Sequence, residues 1–136
     1  MNGAEFAHEF FDSIQNGDRA ALDRMCTADA VVWHNYDGVD MPFEEIAQGL
    51  SALSSFLKDL AYADRRYLSV PDGAVVQHSL TATLPDGTRV NAPMMVRIFF
   101  RDGRIYRFEE YLDPAGTAPL VKALSKSLSR NPGTIR

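Results

Sequence analysis

This sequence lacks the features of a membrane protein or of a protein that binds nucleic acid. It has 14 Lys and Arg residues against 18 Asp and Glu residues, so the net charge is −4 and we expect no basic surface for nucleic acid or anionic lipid. No apolar run approaches the ~20 residues that a membrane-spanning helix needs. The first residues include Glu5 and Glu9 rather than a basic segment, which predicts no secretory signal and a cytoplasmic protein.

Cysteine and histidine are scarce as well. The only cysteine, Cys26, cannot form an internal disulfide, and its apolar neighbours predict a small buried side chain. The three histidines are scattered and lack partners at the spacing of a metal motif, so we expect no metal. We find no phosphate-binding loop and no nucleophile elbow, and we expect no cofactor. At 136 residues the chain is long enough for one domain with its own core.

The first half of the chain is predominantly helical in pattern. Apolar residues recur every three or four positions over residues 4–15 and predict a helix that ends at Gly17. Residues 19–26 predict a short second helix. Pro42 fits the first turn of a third helix, which extends to residue 60. This third helix has the strongest pattern, with apolar residues at Phe43, Ile46, Leu50, Leu53, Leu57 and Leu60.

The second half changes to a period of two. Alternating apolar and polar residues predict four strands joined by Asp-Gly turns, over residues 62–70, 74–84, 88–100 and 104–112. Asp-Gly supplies the positive φ that tight hairpins need, so the four strands form an antiparallel meander. Residues 118–128 predict a weak helix. Residues 129–136 predict a loose polar tail after a single domain over residues 1–128.

One predicted strand carries polar residues in an apolar run. Residues 30–38, Ala-Val-Val-Trp-His-Asn-Tyr-Asp-Gly, place His34 and Asn35 next to the only Trp. An unpaired polar group costs about 1–3 kcal/mol to bury, so each of these two residues either pairs with protein groups or faces a ligand. Under strict alternation His34 shares a face with Tyr36, whereas Trp33 and Asn35 point the other way. A bulge near Asn35 would reverse this arrangement.

Elements of this kind and in this order resemble the nuclear transport factor 2-like superfamily, and most closely its SnoaL-like branch. The resemblance covers residues 4–115 and rests on Phe10-Phe11-x-x-Ile14-x-Asn16-Gly17-Asp18, Ala30-Val31-Val32-Trp33-His34, and Asp102-Gly103-Arg104-Ile105 followed by Glu110-Tyr111-Leu112-Asp113. It implies an α+β fold, a cone-shaped α+β barrel. Three N-terminal helices would pack on one face of a strongly bent, mostly antiparallel sheet.

The resemblance implies a pocket and leaves the chemistry open. The superfamily contains ketosteroid isomerase, scytalone dehydratase, limonene epoxide hydrolase, polyketide cyclases and many non-enzymes, so the fold alone does not define an activity. The oxyanion tyrosine of ketosteroid isomerase falls at Phe10, its protonated aspartate near Met95 and its aspartate base at His34, so that triad is absent. The Asp-Arg-Asp network of limonene epoxide hydrolase is not recognisable either. Polyketide cyclases of the SnoaL type carry an acid–base aspartate that closes the last strand, and Asp113 occupies the matching position.

Three residues are candidates for catalysis. His34 would face the cone and move a proton near neutral pH; alternatively, it is a histidine bonded to backbone. Asp113 would orient His34, or it would only start the turn that follows. Glu110 would point inward with a raised pKa, or it would form an ion pair with Arg97 or Arg107.

Further side chains are candidates for contact with a ligand. They are Phe10, Trp33, Asn35, Tyr36, Met95, Arg97 and Phe108. For Tyr36, Met95 and Phe108 the alternative is an ordinary core position, and for Trp33 it is packing against a helix. His78 lies in the second strand of the meander with no partner visible in the sequence.

The outer face of the meander predicts a homodimer. We expect it to carry Val90, Ile98, Phe100 and Tyr106, which helices on the inner face cannot cover. An exposed apolar sheet face tends to pair with a second copy of the chain.

Two functions remain open from the sequence. The first is a small-molecule enzyme without a cofactor, an isomerase, cyclase or dehydratase that acts on an apolar or polyketide-like substrate through His34 with Asp113 or Glu110. The second is a non-catalytic ligand-binding protein or dimeric scaffold of the same fold, which agrees with the missing isomerase triad. A narrow, filled cone with His34 bonded to backbone would favour the second hypothesis.

Overall fold

The computed structural model describes residues 1–130 and contains the helices and strands in the order that the sequence predicts, with one short strand added. Its helices are α1 (Gly3–Gln15), α2 (Arg19–Met25), α3 (Phe43–Phe56) and α4 (Pro114–Arg130). Its strands are β1 (Cys26–His34), β2 (Asp40–Pro42), β3 (Ala61–Val70), β4 (Gly73–Thr83), β5 (Arg89–Arg101) and β6 (Arg104–Leu112). Within the described residues, no helix is both long enough and apolar enough to cross a membrane.

Side-chain caps define the starts of the first two helices. The Asn2 side chain accepts a hydrogen bond from the backbone N of Glu5 at 2.9 Å, and Asp18 accepts one from the backbone N of Ala21 at 3.0 Å. Each cap satisfies a backbone N–H that the first turn of a helix leaves free. The apolar stripe of α1 is buried against the sheet and comprises Ala7, Phe10, Phe11 and Ile14.

The strands form one open sheet in the order β2-β1-β6-β5-β4-β3. Strands β3 to β6 make the predicted antiparallel meander, and β1 pairs with β6 in parallel. Bulges interrupt the register of three strand pairs, β1–β6, β3–β4 and β5–β6. Because a bulge bends and twists its strand, these interruptions help to curve the sheet around the helices. The expected α+β cone is confirmed, with the sheet open rather than closed.

Several element boundaries differ from those predicted. The first strand begins at Cys26 and ends at His34, so Tyr36 lies in the turn beyond it. Strand β2 was not predicted, because three residues are too few to show alternation. Helix α3 ends at Phe56, since Leu57 is already extended, and the apolar spacing to residue 60 continues into a loop.

The last helix is also longer than predicted. It begins at Pro114, a residue type favoured in the first turn, and it passes the predicted domain boundary at residue 128. Of the predicted polar tail, residues 131–136 lie outside the described residues.

The Asp-Gly turns do not all work as expected. Asp102 and Gly103 both have positive φ, 53° and 76°, as the tightest hairpin turns require. Gly73 is required for a different reason. A Cβ atom built there would lie 1.9 Å from the carbonyl oxygen of Ile98, so close contact between β4 and β5 excludes a side chain.

The faces of β5 are opposite to the prediction. Val90 and Ile98 are fully buried in the core, and the ring of Phe100 packs 4.9 Å from that of Phe6 on α1. These three residues therefore belong to the inner face. The error arose because β5 has apolar residues on both faces, so alternation alone did not indicate which face meets the helices.

Asn35 extends the pairing of β1 with β6 beyond the end of β1. Its backbone N donates to the carbonyl oxygen of Glu110 at 3.1 Å, and its side-chain Oδ1 accepts from the backbone N of Leu112 at 3.0 Å. Asn35 is thus paired with backbone, which answers one of the two questions raised by the polar strand.

We predict that Asn35→Ala lowers the free energy of unfolding by about 1 kcal/mol, because it removes one hydrogen bond at a strand end. Asn35→Asp keeps an acceptor oxygen and is the matched control. Urea denaturation measures both variants. Equal stability of Asn35→Ala and the unchanged protein would contradict the assigned contact.

Candidate active site

A cavity of about 270 Å³ lies between the inner face of the sheet and the helices. Its wall is mostly apolar. The aromatic part includes Phe10, Phe43 and Phe108, whose rings pack on one another at centroid distances of 5.1–5.8 Å. Polar side chains enter this wall at a few positions, which are His34, Tyr36, Tyr62, His78, Glu110, Thr117 and Ser125. An apolar cavity with few polar groups is the usual form of a small-molecule site.

His34 and Glu110 form an acid–base pair on this wall. They are opposite each other in the parallel pairing of β1 with β6, and Nε2 of His34 lies 3.3 Å from Oε2 of Glu110. The side chains are only 11% and 23% exposed, respectively. The hydrogen bond to Glu110 raises the pKa of His34, burial opposes that rise, and the charges of Glu110 and Asp37 add to it. The contact with Glu110 therefore shifts His34 towards the protonated imidazole.

Two tyrosines lie in the same cavity wall as the pair. The ring of Tyr36 lies 5.2 Å from that of His34 and is half exposed, so it stands where the cavity meets solvent. Burial raises the pKa of Tyr36, and the nearby carboxylates of Asp37 and Glu110 raise it further. Burial also raises the pKa of Tyr62, with Glu110 contributing. Both phenols therefore remain protonated and are available as hydrogen-bond donors.

His78 lies in the same wall on β4 and has very different surroundings. Its side chain is 4% exposed, and no atom within residues 1–130 forms a hydrogen bond with either ring nitrogen. The rings of Phe11 and Tyr62 contact it at centroid distances of 4.7 Å each. Burial lowers the pKa of His78 to about 4, with a smaller contribution from the charge of Arg65. The imidazole is therefore neutral at pH 7.

The predicted ligand contacts divide between two faces of the sheet. Phe10, Tyr36 and Phe108 lie in the cavity wall. Trp33, Met95 and Arg97 lie on the outer face instead, because the alternation of β1 and β5 turns them away from the cone. The remaining predicted contact, Asn35, lies just past the end of β1 and pairs with the backbone of β6.

The outer-face residues have partners of their own. The ring of Trp33 packs edge-on against Tyr111 at 5.4 Å. Arg97 forms an ion pair with Asp72, and its guanidinium lies 4.2 Å from the centroid of the Phe99 ring. These contacts account for both side chains without a ligand in the cavity.

The structure does not bring Asp113 to the cavity. This residue is exposed, and its carboxylate accepts a hydrogen bond from the backbone N of Ala115 at 2.9 Å, next to the start of α4. The turn role that we considered from the sequence thus describes its position. Glu110 also avoids the alternative partners: Arg97 pairs with Asp72, and Arg107 pairs with Asp40 and Glu109.

Sequence reasoning missed two parts of the wall. Residues of α4 close one side of the cavity, although their weak apolar pattern gave no sign of it; they are Thr117, Leu120, Val121, Leu124 and Ser125. Sequence reasoning also gave His78 no role. The available signal was its place between Val76 and Leu80 in an otherwise apolar alternation. Within the described residues, no group of His, Cys, Asp and Glu side chains could hold a metal ion.

The fold and this pocket define a class, the α+β cone with an apolar cavity between the sheet and the helices. The profile of the SnoaL-like domain family matches residues 7–108, and the chain belongs to that family. A search of curated proteins finds no match.

Solved structures with the same fold are distant in sequence. IdmH from Streptomyces antibioticus, described as a candidate polyketide cyclase, has a TM-score of 0.75 at 15% identity, over 90% of this chain and 99% of IdmH. A SnoaL-like candidate polyketide cyclase from Jannaschia sp. CCS1 has a TM-score of 0.68 at 19% identity, over 90% and 91% of the two chains. A protein of ketosteroid isomerase-like fold from Catenulispora acidiphila, solved with trimethylamine, has a TM-score of 0.67 at 14% identity, over 82% and 88%. At these identities the likeness establishes the fold.

We predict that His78 makes the protein less stable as the pH falls from about 6.5 to about 4. In this window the unfolded chain binds a proton at His78 and the folded chain does not. The free energy of unfolding therefore falls by roughly 3 kcal/mol between these two pH values. His34 has the opposite effect on stability, because its pKa is raised in the folded protein. Its stabilising contribution to the free energy of unfolding is complete below pH 6.5 and is lost only at higher pH. Urea denaturation at pH 7, 5.5 and 4.5 measures the loss. His78→Phe is expected to remove it, and an unchanged pH slope in that variant would contradict the assignment.

Proposed function

We propose that this protein is a small-molecule enzyme that needs no cofactor and uses His34 and Glu110 as an acid–base pair. The observation that carries the proposal is the His34–Glu110 contact in the wall of an apolar cavity. A buried histidine next to a carboxylate can both give and take a proton near neutral pH. Isomerisation, aldol-type cyclisation and dehydration all need a proton removed at one atom and supplied at another.

In this proposal Glu110 is the base and His34 is the acid. Glu110 takes the proton from a carbon next to a substrate carbonyl, and protonated His34 gives a proton to the carbonyl oxygen, which forms the enol. Reprotonation at carbon reverses both transfers and restores the pair. The cavity contributes by excluding water, since charge interactions are stronger in a dry, apolar wall.

The size of the cavity limits the substrate. A cavity of about 150 Å³ can hold benzene, so 270 Å³ suits an apolar molecule of one or two rings. The sequence allowed polyketide-like substrates in general. The volume favours the small members of that class.

The second function considered from the sequence is binding without turnover. The specific observation in its favour is that apolar residues make up most of the cavity wall, which would hold a ligand whether or not the pair reacts. The two functions differ in one measurable property, the transfer of a proton to or from the bound molecule.

We predict that the protein accelerates hydrogen–deuterium exchange next to the carbonyl of 2-tetralone in deuterated buffer. This bicyclic ketone has the predicted size and acidic hydrogens, and mass spectrometry measures the exchange. Glu110→Gln keeps the shape of the side chain and removes the base, so exchange is expected to fall at least about 100-fold. The exchange rate is expected to fall in His34→Asn as well.

Asp113→Asn is the matched control, because that carboxylate is exposed and only caps a turn. We expect it to leave exchange unchanged. Binding of 2-tetralone without faster exchange would favour the non-catalytic function. A Glu110→Gln variant as active as the unchanged protein would exclude the assigned base.

We further propose a cytoplasmic homodimer that pairs through the outer face of the sheet. The location rests on composition alone. For the dimer, Met95 and Tyr111 are register partners on the outer face and are 41% and 47% exposed, and Trp33 packs against Tyr111. An exposed apolar patch of this kind favours contact with a second copy.

We predict that Tyr111→Glu converts a dimer into a monomer, because it places a charge in the centre of that patch. Light scattering at micromolar concentration measures the mass. Ser55→Glu, on the exposed side of α3, is the control and should remain dimeric. A monomeric unchanged protein would contradict the proposal.

A further inference from the structure

Within the described residues, His78 is the residue of the cavity wall whose buried side-chain nitrogens have no hydrogen-bond partner. Both ring nitrogens are buried, and within residues 1–130 neither has a hydrogen-bond partner. A buried polar group without a partner costs about 1–3 kcal/mol, and native proteins keep few of them. An apolar residue of similar size would fill this position at no such cost. The position therefore suggests a partner that enters from outside.

The surroundings of His78 supply no other explanation. Phe11 of α1 and Tyr62 of β3 contact the ring on two sides, and Met94 faces it from β5. On β4 itself its inner-face neighbours are Val76 and Leu80, both buried. The groups around the imidazole are thus aromatic or aliphatic, apart from the Tyr62 hydroxyl, and the charge that reaches it comes from Arg65. The side chain of His78 borders the cavity.

His78 is well separated from the acid–base pair. Glu110 on β6 is in register with Val96 of β5, which is in register with Val76 of β4. His78 therefore lies two strands and two residues away from Glu110, roughly 12 Å over the sheet at about 4.8 Å per strand and 3.3 Å per residue. His34 and Glu110 thus form one polar position in the cavity wall, and His78 forms another, two strands away along the sheet.

We propose that His78 is a ligand-anchoring residue that forms a hydrogen bond with a neutral oxygen, a hydroxyl or carbonyl, at the end of the ligand remote from the His34–Glu110 pair. A neutral imidazole has one donor and one acceptor nitrogen, so a hydroxyl group can satisfy whichever nitrogen it meets. A charged group is disfavoured, because burying it in this apolar region has a high cost. This inference rests on the proposed function for the position of the reacting carbonyl, and it adds a second polar group to the substrate.

The substrate class is then narrower than an apolar molecule of suitable size. It is a one- or two-ring ketone that carries a hydroxyl or a second carbonyl on the side opposite to the reacting carbonyl. The first oxygen lies against the His34–Glu110 pair, and the second meets His78. The apolar wall contacts the rings between them.

Two matched probes test the anchor. 6-Hydroxy-2-tetralone differs from 2-tetralone by one hydroxyl at the far end of the bicycle, and calorimetry gives both dissociation constants. We expect the unchanged protein to bind the hydroxylated probe more tightly. In His78→Phe the aromatic contacts with Phe11 and Tyr62 remain but the nitrogens are gone, so the affinity for the hydroxylated probe should fall about tenfold while that for 2-tetralone stays within twofold.

A second variant and a spectroscopic measurement distinguish the loss of a hydrogen bond from a change in packing. His78→Leu should lose the same preference, and the imidazole ¹⁵N shifts of His78 should move when the hydroxylated probe binds. An unchanged preference in both variants, or shifts that do not respond, would overturn the anchor and leave water as the partner of the imidazole.

The anchor and the proposed catalysis can fail separately. Glu110→Gln is expected to abolish exchange and to keep the preference for the hydroxylated probe, because Glu110 lies two strands away from His78 along the sheet. Loss of the preference in Glu110→Gln but not in His78→Phe would place the hydroxyl at the His34–Glu110 pair and overturn the anchor. A preference that depends on His78 in a protein without exchange would support the anchor and contradict catalysis.

Discussion

The parallel pairing of β1 with β6 is the interaction on which the fold and the candidate site both depend. It joins the strand from the helical half of the chain to the last strand of the meander and sets the order of the whole sheet. It also places His34 opposite Glu110, two residues 76 positions apart in the chain. A shift of one residue would turn one of the two side chains to the outer face. The bonds of Asn35 to the backbone of Glu110 and Leu112 hold this register at the end of β1.

The cavity shows how the same residue type acquires two different properties. His34 has a carboxylate partner, and its pKa is raised; His78 has aromatic neighbours and no such partner within residues 1–130, and its pKa is lowered. The Glu110 contact therefore shifts His34 towards the charged form, whereas burial keeps His78 neutral at pH 7. The first is suited to proton transfer and the second to a hydrogen bond with a neutral group. Burial alone would have lowered both pKa values, so the Glu110 contact makes the difference.

Periodicity predicted the elements better than it predicted their faces. The stripe of α1 and the four meander strands were recognisable because helices and strands have different repeats. The face of β5 was not, since Val90, Ile98 and Phe99 give both sides an apolar character. The end of α3 was also beyond reach, because Leu57 keeps the helical spacing but belongs to the extended chain after it. In both cases contacts with distant residues decide the outcome.

The sequence by itself determined the α+β class and the order of helices and strands, and it indicated His34 as the leading candidate for a site residue, because these depend on local repeats and on one polar interruption of an apolar strand. Only the tertiary structure decided that Glu110 rather than Asp113 lies beside His34, and that Trp33, Met95 and Arg97 face outward. It also decided that His78 borders the cavity with no hydrogen-bond partner among residues 1–130. Each of those facts depends on which strands pair and in which register. That choice is made by packing between residues far apart in the chain, which no local pattern records.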